Sequence, residues 1–143
     1  MTTLIMCIGN PRNGDDGVGP YIAQIFPNTD GYDVVDCETV PENYTHLIKD
    51  VDQVVLIDAV DMGLHPGEIR VVSPKKIGGL HISTHNLPLS LLIEYIEGEE
   101  KKTVFVGIQP KRFHGKISKE VKEAGEKLVK IIVSKKLGKL EVL

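Results

Sequence analysis

Short apolar runs recur along the chain, and the stretches between them place apolar residues at helical spacing. The first run, Thr3-Leu4-Ile5-Met6-Cys7-Ile8, predicts a buried strand. A glycine-rich loop follows to Gly19, and Pro20 suits the first turn of a short helix over 20–26. Residues 32–36 predict a second strand closing on Asp36, and 41–49 a helix entered through Pro41. Gln53-Val54-Val55-Leu56-Ile57-Asp58 is the clearest strand; its continuous apolar run suits burial on both faces of a parallel sheet. Residues 61–67 carry turn chemistry, and 68–72 alternate polar with apolar as an edge strand does. Residues 75–84 read as loop, 87–96 as a helix with Pro88 near its start, and 103–108 as the last central strand, broken by Gln109-Pro110. Ser118 suits the cap of a final helix whose apolar positions are Val121, Ala124, Leu128, Ile131 and Ile132.

Strands alternating with helices predict an α/β fold: a three-layer α/β/α sandwich with a mainly parallel central sheet of about five strands. With no linker or repeat, residues 1–143 read as a single domain. Strands one, two and three each end near acids: Asp15 and Asp16, Asp36, and Asp58. Parallel strands would gather these at one edge of the sheet, where open α/β sheets place their sites.

Composition changes this picture little. The chain is 41% hydrophobic and 26% charged, with a net charge of −3, so nothing global calls for nucleic acid. The charge is uneven: residues 1–100 carry 16 acids and 5 bases, and residues 101–143 carry 4 acids and 12 bases. This unevenness reads either as a lysine-rich solvated face on the final helix or as an acidic cleft suited to a cation or basic peptide. Cys7 and Cys37 form no CxxC pair and suit reduced, buried thiols in a cytoplasmic protein. The fold begins almost at Met1, so no signal peptide is expected, and no apolar run approaches the ~18 residues a membrane helix needs.

The loop after strand one carries the candidate chemistry. Gly9-x-x-x-x-Gly14 has the spacing of a phosphate loop, but Asp15 and Asp16 stand where Lys and Ser or Thr should follow. Two anions repel a phosphate, and Gly9-Asn10-Pro11 lacks the second glycine of a dinucleotide fingerprint. A cation fits better. The candidate ligands are an aspartate of the glycine loop, Asp58 and a histidine, of which His85 is best placed between a loop and an apolar helix. Two oxygens and one imidazole suit a borderline divalent ion and leave positions open for water or substrate. Gly-x-Ser-x-Gly and Asp-Thr/Ser-Gly are both absent, and neither cysteine has a histidine close in sequence. Hydrolysis would then run through metal-bound water or a metal-polarised carbonyl, with a carboxylate as base.

Five blocks together resemble the hydrogenase maturation endopeptidases, most closely the subgroup that acts on the formate-hydrogenlyase type enzyme. They are Gly9-Asn10-x-x-x-Gly14-Asp15-Asp16-Gly17-x-Gly19-Pro20, Pro41-Glu42-Asn43, Asp58-Ala59-x-Asp61-Met62-Gly63-Leu64-x-Pro66-Gly67-Glu68-Ile69-Arg70, Thr84-His85-Asn86-x-Pro88-Leu89 and Gly107-Ile108-Gln109-Pro110. They occur in family order from residue 4 to 110; beyond Pro110 the likeness is weak.

The resemblance implies an endopeptidase, metal-dependent or of aspartyl type, that removes the C-terminal extension of a [NiFe]-hydrogenase large-subunit precursor after nickel insertion. The family's ligands fall on Asp16, Asp58 and His85, with nickel supplied by the precursor or another divalent metal in its place. Asp16 is preferred because the second acid of the pair is the family's ligand, which leaves Asp15 a structural role. Asp36 is a further catalytic candidate, although Asp36-Cys37-Glu38 replaces the relatives' Asp-Gly-Gly. A monomer without membrane insertion is expected. The rival readings are a non-catalytic maturation chaperone or accessory subunit binding the precursor tail, and a small-molecule metallohydrolase.

Overall fold

The computed structural model describes residues 1–77, 81–82 and 89–143. Its strands are β1 (Thr3–Ile8), β2 (Tyr32–Glu38), β3 (Gln53–Asp61), β4 (Ile69–Val71), β5 (His81–Ile82) and β6 (Lys102–Ile108). The α-helices are α1 (Val18–Ile25), the single turn α2 (Pro74–Ile77), α3 (Leu89–Gly98) and α4 (Lys119–Val133). Residues Gly14–Gly17 and Pro41–Asp50 are 3-10 helical.

The sheet runs β2-β1-β3-β6-β4. β2, β1, β3 and β6 are parallel, and β4 closes one edge antiparallel to β6. The main sheet therefore has the five strands expected, with 69–71 as the edge. The two-residue β5 lies off this path, antiparallel to the end of β3. It falls where a loop was expected, because two residues carry no readable period.

The central strands β1 and β3 are buried throughout, apart from Asp61 at the end of β3. Their alternation feeds two cores. Leu4, Met6, Leu56 and Val60 pack with Ile48 and with Leu89, Leu92, Ile93 and Ile96 of α3. Ile5, Cys7, Val55 and Ile57 pack with Val18 and Ile22 of α1 and Val121, Leu128 and Ile132 of α4. These are the two outer layers of the sandwich.

Of the apolar positions expected on the final helix, Val121, Ala124, Leu128 and Ile132 are buried, while Ile131 is only partly so. Gly125 is also buried there; a Cβ on it would lie 3.2 Å from Val18 and 3.3 Å from Ile22, and its absence lets α4 and α1 approach. Ser118 stands at the N-cap position, but its hydroxyl does not cap the helix; it donates to Asp15.

Cys7 and Cys37 are free and buried. Burial pushes both thiol pKa values up, Cys37 to about 12, with the nearby Asp36 and Glu42 carboxylates adding to the effect on Cys37. At pH 8 this leaves about 10⁻⁴ of Cys37 as thiolate. Native protein should therefore resist alkylation by iodoacetamide at pH 8 and take up two labels only in denaturant, counted by mass spectrometry. Rapid labelling of the native protein would contradict this burial.

Candidate functional site at the strand ends

The chain crosses from β1 to β2 on one side and from β2 over to β3 on the other, so the sheet order reverses around β1. At such a switch point the loops leaving neighbouring strands diverge and open a crevice. The glycine loop leaves β1 there, and Asp58 lies near the end of β3, beside Ala59 and opposite Gly107 of β6.

Gly9 makes the loop's first bend. Its φ is +150°, and a Cβ on it would run into the backbone carbonyl of Asp16. Gly19 is held as closely: a Cβ there would strike the backbone of Ile8. The two glycines thus fold Gly14–Gly17 back over the end of β1, where this turn also packs against β3.

The adjacent acids Asp15 and Asp16 are both fully buried, and they do different things. Asp15 turns toward the segment before α4. Its Oδ2 accepts from the backbone amides of Lys111 (2.7 Å) and Arg112 (3.1 Å) and from the Ser118 hydroxyl (2.9 Å). Its Oδ1 accepts from the Ser118 amide at 2.6 Å. The Asp15 amide in turn donates to the Arg112 carbonyl at 2.9 Å. Charge-assisted bonds of this kind are the strong ones. Asp15 thus fastens the glycine loop to the start of α4.

Asp16 faces inward. Its Oδ2 accepts from the Asn10 amide at 2.8 Å, which sets the carboxylate within its own loop. Asp58 is also fully buried and accepts from the Ala59 amide at 2.8 Å through Oδ1. Strand alternation puts Asp58 on the face of Leu56 and Val60, toward the α3 layer. His85 lies outside the described residues, in the stretch of chain before α3. Among the described residues no three His, Cys, Asp or Glu side chains form a metal-holding group. Two buried carboxylates, each oriented by a backbone amide, are hard oxygen donors that fit a divalent cation completed by an imidazole.

Asp36 is placed differently. It pairs in register with Cys7, whose side chain faces the α1 layer, so Asp36 points to the opposite side of the sheet from Asp58. Its Oδ1 accepts from the Glu38 amide at 3.0 Å. It borders an open groove of about 510 Å³ with Pro11, Gly17, Pro20, Tyr21 and Ile117 among its walls. Among the described residues that line it, Asp36 carries the single formal charge. The structure therefore separates Asp36 from the face that holds Asp58.

One supporting residue escapes sequence reasoning. Gln109 is 6% exposed. Its Oε1 accepts from the amides of Met62 (2.6 Å) and Leu64 (3.2 Å), and its Nε2 donates to Asp61 Oδ1 at 3.1 Å. It fixes the turn leaving β3, three residues beyond Asp58. The block Gly107-Ile108-Gln109-Pro110 carried the signal, but a strand-ending glutamine names no partner 47 residues away.

With this geometry established, comparison with known proteins identifies the family. A family model described as hydrogenase maturation protease matches residues 18–135. The chain belongs to the hydrogenase maturation proteases. It is 35% identical to the hydrogenase 3 maturation protease of Escherichia coli K12 over 133 residues, covering 88% of this chain and 85% of that protein. The solution structure of the Escherichia coli endopeptidase HycI superposes with a TM-score of 0.87 at 32% identity, covering 100% of this chain and 97% of the other. The crystal structure of the [NiFe] hydrogenase maturation protease HycI from Thermococcus kodakarensis gives 0.83 at 31% identity, covering 94% and 92%. The α/β fold and the membership inferred from the five blocks both hold. The described residues include no helix long and apolar enough to cross a membrane.

Proposed function

We propose that this protease removes the C-terminal extension of a [NiFe]-hydrogenase large-subunit precursor, and that it reads the nickel already inserted there through Asp16, Asp58 and His85. The reading is supported by two fully buried carboxylates, Asp16 on the turn that packs against β3 and Asp58 on β3 itself, each accepting from a backbone amide, in a member of this protease family. Carboxylates are hard oxygen donors to a cation, and a cation presented by the substrate reaches them only when the correct substrate is docked. Intrinsic affinity does not select nickel, since most such sites bind copper more tightly. Delivery by the precursor removes that problem.

In this reading the chain holds no resident metal, and nickel is part of the substrate. Bound to the precursor, it supplies electrostatic polarisation beside the scissile peptide. The carboxylates hold the precursor in register, and one of them takes a proton from the attacking water and passes it to the leaving nitrogen as the C–N bond breaks. Asp36 stands apart on the α1 side, bordering the groove, and is assigned to the released tail. Localisation in the cytoplasm, where thiols stay reduced, accords with the two free cysteines.

Nickel-loaded and nickel-free precursor, incubated separately with the protein, test the reading by intact mass. The loaded form should shorten and the nickel-free form should persist. Equal shortening of both would overturn nickel reading while leaving the protease assignment in place.

A further inference from the structure

The parallel strands also share a beginning. Thr3 of β1, Tyr32 of β2, Gln53 of β3 and Lys102 of β6 each open their strand, and all four line one cavity of about 440 Å³. Ile132 of α4 and Lys135, Leu137 and Gly138 beyond it line it too. The candidate site lies where the strands finish, so the six residues of β1 set the two apart by roughly 20 Å. Gln53 is 8% exposed, and its Oε1 accepts from the Thr3 hydroxyl at 3.4 Å. Among the described residues its Nε2 has no hydrogen-bond partner, yet it is not sealed from solvent. A donor held this deep and left open to a cavity is completed by an acceptor that enters it.

The charges around it favour an anion. Lys102 and Lys135 form no ion pair among the described residues, and Asp30 is the one acid in the described lining. Lys136 and Lys139 flank Leu137 and Gly138, and Asp33 follows Tyr32. Asp52 and Lys101, the neighbours of Gln53 and Lys102, are engaged elsewhere: Asp52 accepts from the Thr2 amide at 2.8 Å, and Lys101 donates to the Lys49 carbonyl at 3.1 Å. The carbonyls ending α4 would favour a cation, but they are taken. That of Ile132 accepts from the Lys135 amide (3.0 Å) and the Tyr32 hydroxyl (2.9 Å), and that of Ile131 from the Lys136 amide (2.9 Å). From this we infer that the cavity is a binding site for a small organic carboxylate. The carboxylate is taken by Gln53 Nε2 with Lys102 and Lys135, and the apolar body lies against Tyr32, Ile132 and Leu137. The volume is that of a small-molecule site, typically about 300–1,000 Å³. A bare inorganic anion would leave the apolar wall uncovered. The inference is independent of the proposed function, whose residues lie at the other end of the sheet.

The test titrates isotope-labelled protein with benzoate, benzamide and inorganic phosphate and follows the backbone amide NMR signals. Benzoate should shift Thr3, Gln53, Lys102 and Leu137 saturably, with a Kd of about 1 mM or tighter, as its size allows. Benzamide has the shape without the charge, and phosphate the charge without the apolar body, so each should bind about tenfold more weakly or worse. Lys102→Gln/Lys135→Gly should weaken benzoate about tenfold or more at unchanged Tm. Lys135 has φ +59°, a conformation glycine adopts freely, so the fold is kept. Gln53→Leu should weaken benzoate severalfold by removing the buried donor. The inference is overturned by an absence of saturable shifts, or by shifts scattered over the surface. Benzamide or phosphate binding as tightly as benzoate overturns it too, as does wild-type binding by either variant. If Gln53→Leu loses structure, the lysine variant alone decides.

Discussion

Asp15→Ala should unfold at a Tm roughly 10–15 °C below wild type. The carboxylate is fully buried and receives four hydrogen bonds, three from backbone amides and one from a hydroxyl. Alanine leaves those donors without an acceptor, and a buried unsatisfied donor costs about 1–3 kcal/mol each. Partial relaxation and water entry recover some of this, so the net loss is about 4 kcal/mol. For a domain of this size each kcal/mol is worth roughly 2–4 °C. Asp15→Asn keeps one oxygen acceptor and loses the charge, so its Tm should fall about half as far. Both variants should retain cleavage within a few fold at 20 °C while folded, because Asp15 acts on the loop and not on the peptide. Thermal denaturation followed by circular dichroism, with cleavage measured on the same samples, separates the two roles. An unchanged Tm with abolished cleavage would make Asp15 a participant in the chemistry.

The contrast between these neighbours marks how far the sequence could be read. The strands were legible because burial on both faces leaves an uninterrupted apolar run, as in 53–58, and the edge strand because its one-sided exposure alternates. The assembly of acids at strand ends followed from parallel strands. What each acid does there was not legible. Asp15 and Asp16 have the same chemistry one residue apart, and the 3-10 turn over Gly14–Gly17 sends them to different partners. Those of Asp15 lie almost a hundred residues on, at Lys111, Arg112 and Ser118, and no local pattern announces a contact of that range. Ser118 illustrates the same limit. Its position marked the start of α4, yet its hydroxyl serves Asp15 and leaves the cap unmade. Asp36 shows a third kind. Ending a strand beside the others suggested one cluster, but Asp36 and Asp58 occupy opposite faces, because Asp36 pairs with Cys7, Cys7 pairs with Ile57, and Asp58 follows Ile57.

The second large effect is expected on chemistry and not on stability. Asp16→Asn and Asp58→Asn should each lower cleavage of the nickel-loaded precursor at least ~100-fold, since even groups that only orient a metal ligand cost 10–100-fold when changed. Asparagine keeps the size of the side chain and an oxygen that can accept from the Asn10 or Ala59 amide, so that hydrogen bond survives in each variant. What is lost is the charge that a presented cation requires. Because a buried anion is removed without orphaning those amides, Tm should stay within about 3 °C of wild type, or rise. The double variant should be no slower than the worse single one, as befits groups that hold one ion together. Asp36→Asn should behave otherwise, raising KM severalfold with kcat little changed, since its carboxylate borders the groove on the other face of the sheet. Intact-mass assays at several precursor concentrations give kcat and KM for all four. Retention of a tenth or more of wild-type activity by Asp16→Asn would remove it from the site. An Asp36→Asn variant as inactive as Asp58→Asn would return Asp36 to the catalytic set and require the loop to bring the two faces together.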